Sequence, residues 1–163
     1  MRMKLIAVVL IVTPLLLAQS KSPSSNSHRW SYHKTQAPIL PMDQPSKVSG
    51  AGVTTPSGVR YWDIQTGEGN AASKGHVVKV FFRAWTAKGQ AVDSCISEHN
   101  PVIFTLGFGQ VIPGWEEGME GMKVGGKRQL RIPPEMAYGA AGVPPIVPPN
   151  STLIFDVELI GLD

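Results

Sequence analysis

Two segments of the chain alternate apolar and charged residues with a period of two. In Val77–Trp85, residues Val78, Val80, Phe82 and Ala84 fall on one side, and Lys79 and Arg83 on the other. In Thr152–Gly161, residues Leu153, Phe155, Val157 and Leu159 oppose Asp156 and Glu158. That period marks a strand with one face buried, and register is fixed wherever one face must be buried. Val102–Leu106 and Lys127–Ile132 read as further short strands, although Arg128 interrupts the apolar even face of the latter. Lys88-Gly89 marks a turn before Ala91-Val92. Between the strands, Trp115, Met119 and Met122 stand at i, i+4 and i+7, the spacing of one short helix, with Glu116, Glu117 and Glu120 on its opposite face. The 17 glycines and 14 prolines favour many turns over a helical bundle. The expected fold is α+β: an antiparallel β-sheet of about five strands wrapped on one short α-helix.

The amino-terminal third reads differently. Arg2 and Lys4 precede an apolar run, Leu5–Ala18, and Ala18-Gln19-Ser20 places small residues at the −3 and −1 positions of a signal-peptidase site. The run has 14 residues, whereas a bilayer span takes about 20. Residues 1–20 are therefore expected to be a signal peptide rather than an anchor or a core helix, and the protein to be exported, periplasmic or secreted. No stable membrane span is expected. Residues 21–57, rich in Ser, Pro and Gly, are expected to be a flexible linker, with Trp30, Tyr32 and 38–42 as exceptions able to dock on the domain or a partner. The domain is expected over 58–163.

Charge and motif content exclude several functions. Net charge is +3, but residues 58–163 hold nine bases against eleven acids, so the basic excess belongs to the amino-terminal end. A nucleic-acid partner wants a basic face on the domain itself and is not expected. The single cysteine, Cys95, excludes an intramolecular disulfide and any multi-cysteine metal site. Cys95 and His99 can be drawn as a thiol–imidazole pair, though an isolated cysteine more often packs as a small apolar group. His28 and His33 lack nearby carboxylates or thiols and make a poor metal site. Gly107-Phe108-Gly109 lacks the third glycine of a dinucleotide site, and no P-loop, HExxH or GxSxG sequence occurs. Asn150-Ser151-Thr152 fits a glycosylation acceptor. No metal or other cofactor is expected.

One long pattern remains. VIPGWEEGMEGMKVGGKRQLRIPPEMAYGAAG runs from Val111 to Gly142, and PPNSTLIFDVELIGL from Pro148 to Leu162. With SGVRYWDIQTGEG and VKVFFRAWTAKGQAVDSC before them, these stretches resemble the FKBP-type peptidyl-prolyl cis–trans isomerases, the macrolide-binding immunophilins, over about 57–162. The resemblance implies a pocket that holds a prolyl ring. Trp115 matches its floor, and Val111 and Ile112 the aliphatic pair before it, with the Ile112 N–H as donor to a bound carbonyl. Tyr138 matches a ligand-contacting hydroxyl, Asp93 a buried polar wall, Ile146 and Val147 the tip of a long loop, and Phe155 an aromatic wall. Read as residues alone, Phe155 and Val111 also suit any sheet core, and Trp115 a staple between helix and sheet. Three positions depart from the family: Phe82 stands where it usually has tyrosine, so one hydroxyl near Asp93 is missing, and Val92 and Val102 stand where it usually has phenylalanine. The resemblance implies an isomerase acting on proline-containing polypeptides, binding macrolide inhibitors and assisting the folding of exported proteins. The alternative is a weakly active binding or chaperone module that docks partner segments. No heptads precede the domain, so a monomer is expected.

Overall fold

A computed structural model describes residues 44–97 and 100–163. The expectations for residues 1–20, for Trp30, Tyr32, His28, His33 and 38–42, and for His99 fall outside the described residues. The strands are β1 (Val53–Thr54), β2 (Arg60–Gln65), β3 (Val77–Thr86), β4 (Ala91–Cys95), β5 (Val102–Thr105), β6 (Lys127–Ile132) and β7 (Leu153–Leu162), with a helix α1 (Pro113–Gly118) between β5 and β6. They form one antiparallel sheet in the order β1-β2-β6-β7-β3-β4, with β5 also paired to β3. Seven strands are thus described rather than about five. The additions are β1, only two residues long, and β2, whose RYWDIQ offers only Tyr61 to the core. Among the described residues no helix is long and apolar enough to cross a membrane.

The alternation in β3 and β7 predicts their buried faces. Val78, Val80, Phe82 and Ala84 are buried on β3, as are Leu153, Phe155, Val157 and Leu159 on β7. The two strands pair antiparallel with Ala84 opposite Phe155 and Phe82 opposite Val157. Against this inner face lies α1, followed by a turn that brings Met119 and Met122 into the same core. Close packing depends on two glycines one helical turn apart. A Cβ at Gly114 would meet Ile132 Cγ2 at 2.3 Å, and one at Gly118 would meet Leu130 Cδ2 at 2.8 Å.

Arg128, the charge on the inward face of β6, is buried and fully employed. Its Nε donates to Asp63 Oδ1 at 2.7 Å and its Nη2 to Oδ2 at 3.2 Å. Its Nη1 donates to the carbonyls of Gly118 and Glu120 at 2.9 and 3.2 Å. The guanidinium also stacks over the Tyr61 ring, 4.0 Å from its centroid. Carbonyls at a helix end have no partner within the helix, so this arginine satisfies the end of α1 while tying it to β2.

Residues 44–57 lie against the sheet's outer face. Asp156 Oδ2 accepts the Ser46 N–H at 2.7 Å, Gln129 Nε2 donates to the Ser46 carbonyl at 2.7 Å, and Trp62 Nε1 donates to the Gly50 carbonyl at 3.1 Å. Val53 and Thr54 then pair with Tyr61 and Arg60. Cys95 is buried, and its thiol donates to the Asn100 carbonyl at 2.8 Å.

Candidate functional site

Four aromatic rings meet where α1 crosses β3, β5 and β7. The Trp115 indole stands edge-on to Phe82 (centroids 5.3 Å apart, planes at 78°) and to Phe155 (5.4 Å, 86°). Phe104 lies tilted against it at 5.9 Å, and Phe82 and Phe155 touch each other at 6.3 Å. Edge-to-face pairs satisfy the ring quadrupoles and contribute about 0.5–1.5 kcal/mol each beyond their buried area. Trp115 is 0% exposed and its Nε1 has no hydrogen-bond partner among the described residues. It is therefore the staple between helix and sheet and the most buried ring of the cluster.

The more accessible residues around this core come from the loops. Val111 is buried, while Ile112 is half-buried with extended backbone (φ −58°, ψ 144°) just before α1. The Ile112 carbonyl accepts the Trp115 N–H at 2.9 Å. The long loop after β6 brings Tyr138, Ile146 and Val147 against the same core. It closes through a Val143–Val147 bridge, with the Val143 N–H donating to the Val147 carbonyl at 2.8 Å. Gly142 permits that closure: its φ is +62°, and a Cβ there would lie 2.5 Å from the Val147 carbonyl. Val147 is buried beneath the loop, whereas Ile146 stays half-exposed.

On the sheet, Asp93 pairs across from Ala84, and Ala84 from Phe155, so a small residue separates the carboxylate from the ring along one row. Asp93 Oδ1 accepts the Ser94 N–H at 2.7 Å. The Tyr138 hydroxyl is held above the usual phenol range, first by burial and second by the negative charge of Asp93. The carboxylate and the phenol therefore sense each other across the site. Phe82 spends its ring on Trp115 and Phe155, and the Ser94 amide serves as a partner of Asp93. Val92 and Val102 are half-buried at the edge of the same core.

Ten of the eleven residues singled out from the sequence belong to this core or pack on it, and the eleventh, Asp93, acts electrostatically on Tyr138. Phe104 was missed. It shares the inward face of β5 with Val102, two residues along, so the alternation in Val102–Leu106 carried the signal. Glu116, expected on a solvated helix face, instead accepts the backbone N–H groups of Gly107 and Gly109, the latter at 2.9 Å. A separate cavity of about 350 Å³ lies between 47–53 and β2, lined by Lys47, Val48, Trp62 and Ile64 among others, and shares no residue with the aromatic cluster.

A family model for FKBP-type peptidyl-prolyl cis-trans isomerase matches residues 68–160. An FK506-binding protein of Neisseria meningitidis is 50% identical over 98 residues, 60% of this chain and 90% of that protein. The crystal structure of AtFKBP13 superposes with a TM-score of 0.62 at 39% identity, covering 68% of this chain and 97% of that one. FkpA from Escherichia coli superposes with a TM-score of 0.61 at 42% identity, and 68% of this chain spans 51% of its length.

Proposed function

Because the chain belongs to the FKBP-type peptidyl-prolyl cis–trans isomerase family, we propose that it turns X–Pro bonds at the surface above Trp115 and serves the folding of exported proteins. The observation that carries the site is the ring cluster itself: three phenylalanines hold one indole, and the partly exposed Ile112, Tyr138 and Ile146 pack on the same core. Rotating a peptide bond meets a barrier of about 18–20 kcal/mol because amide resonance is lost on the way. The twisted amide is less polar than the planar one, so an apolar, water-poor surface favours it. No nucleophile is needed, since no bond breaks.

The named residues then take simple roles. Ile112 supplies a backbone N–H to the substrate carbonyl, fixing one side of the rotating bond. Tyr138, whose phenol is neutral at working pH and is held further above its ordinary value by burial and by Asp93, offers a hydroxyl donor to the ligand backbone. Ile146 and Val147 close the loop side, and Phe82, Val92, Val102, Val111 and Phe155 line or support the ring slot. Macrolide inhibitors would compete for the same surface.

A protease-coupled assay on X–Pro peptides tests this: turnover that a macrolide suppresses is expected, and a folded protein without turnover would overturn it. The second reading, a slow binding module, is favoured by Val92 and Val102, which offer less ring surface than phenylalanine. Macrolide binding without turnover would select it. Export rests on the basic start and apolar run of residues 1–20. Exported material is expected to begin near Lys21, and an intact Met1 on it would refute cleavage. A monomer is expected by sedimentation.

A further inference from the structure

Phe108 is 69% exposed, the most exposed large apolar side chain among the described residues. The turn that displays it is tied down on every side. Gly107 and Gly109 flank it at φ +87° and +67°, and both give their N–H groups to the Glu116 carboxylate. Gln110 Oε1 accepts the Thr105 N–H at 2.7 Å. Leu106 donates to the His76 carbonyl at 2.9 Å and accepts from the Gly75 N–H at 2.9 Å. Glu116 directly follows Trp115 in α1, so the helix that places the floor of the site also fixes this turn.

A phenylalanine held in this way gives up little backbone freedom when something packs on it, which is the condition for an efficient anchor. Its position says what that partner is. Phe108 precedes Val111 by three residues, so their Cα atoms lie within about 11 Å of each other. An extended polypeptide advances about 3.3 Å per residue. A substrate with its proline in the slot can therefore reach Phe108 within two to four residues of that proline.

We propose that Phe108 is a specificity-determining residue, packing on an apolar side chain of the polypeptide substrate two to four residues from the isomerised bond. This rests on the isomerase reading of the Trp115 site, and the experiment separates the two. Full-length protein and Phe108→Ser are compared on a four-residue X–Pro peptide and on ten-residue peptides carrying Leu or Ser at those distances, on either side of proline. Turnover of the short peptide should stay within twofold. On Leu-bearing peptides the variant should show KM raised about five- to tenfold with kcat unchanged, and the preference for Leu over Ser should vanish. An equal Leu preference in both proteins would overturn the proposal, as would a substitution that alters only self-association in sedimentation. Direct titration with the Leu-bearing peptide reads Phe108 without turnover, so absent catalysis would remove the isomerase reading alone.

Discussion

Trp115 staples helix to sheet and is proposed as the floor of the site, and its burial means that one substitution touches both. Its resemblance-based role as a flat floor predicts that Trp115→Leu harms ligand stacking more than stability. The structure adds three ring contacts and complete burial, so a stability cost of about 3 kcal/mol is expected as well, within the range for large-to-small core changes. In protein still folded below its lowered melting temperature, kcat/KM for an X–Pro peptide should fall at least tenfold. Calorimetry and the coupled assay on one sample check the pair, and retained turnover would show that the indole is only a staple. Tyr138 gives a cleaner reading because its shift has a sign. Burial and Asp93 both hold its phenol above the ordinary value of 10.0. A folded value above the unfolded one means that the protonated form is favoured by folding. This stability is present in full below about pH 10, and is lost as pH rises through the folded value. Activity should therefore show no Tyr138-linked change between pH 6 and 9. Asp93→Asn should lower the phenol midpoint, read by ultraviolet difference titration, yet leave it above the ordinary value, since burial is the larger cause. A midpoint unmoved by that substitution would mean that the two groups do not communicate.

At the scale of elements, what sequence reveals depends on where the physics is local. The period of two in β3 and β7 is a local signal, and each alternate residue lies on the predicted face. The spacing of Trp115, Met119 and Met122 likewise identifies the buried side of α1, although the regular helix stops at Gly118 and the two methionines follow in its terminal turns. Arg128 and Glu116 were visible as residues but not as contacts. Their partners, Asp63 and the backbone of 107–109, are supplied by chain folding that spacing does not encode. Phe104 lies on the same inward face of β5 as Val102, so its burial follows from the alternation even though its ring contact with Trp115 does not. Gly114 and Gly118 hold the most consequential hidden information, because their lack of a side chain sets the distance between helix and sheet. Gly114→Ala raises helix propensity by about 1 kcal/mol. It also drives a methyl to 2.3 Å from Ile132 Cγ2, deep in the core. Overpacking costs about 1–3 kcal/mol, so the net effect should be destabilising, with the floor lifted and KM increased. A more stable Gly114→Ala protein in urea melts would mean that α1 can slide without consequence.

For the molecule as a whole, the boundary between tail and domain is the part composition describes least. Residues 44–57 carry no apolar period, which is why they read as linker. They are held instead through backbone groups: the Ser46 N–H and carbonyl and the Gly50 carbonyl, taken by Asp156, Gln129 and Trp62. Those three side chains stand in one row across the outer face, since Trp62 pairs with Gln129 and Gln129 with Asp156. Gln129 Nε2 also donates to Asp156 Oδ1 at 2.8 Å, so the carboxylate is the hub of the clasp. Asp156 follows Phe155 on β7, which puts the clasp and the aromatic wall back to back on the same strand. Asp156→Ala removes the acceptor of the Ser46 N–H and leaves the Gln129 amide with one partner fewer. Hydrogen bonds to a charged group contribute about 1.5–3 kcal/mol each, less where water reaches them, so a loss of about 2 kcal/mol is expected. Hydrogen exchange should show the Ser46 amide losing at least tenfold protection, while β7 amides exchange only as the lower global stability requires. Turnover of a short X–Pro peptide should stay within twofold, because Phe155 faces the opposite side and keeps its contacts with Phe82 and Trp115. If turnover fell with the clasp, the outer strap would be setting the geometry of the inner wall through the sheet.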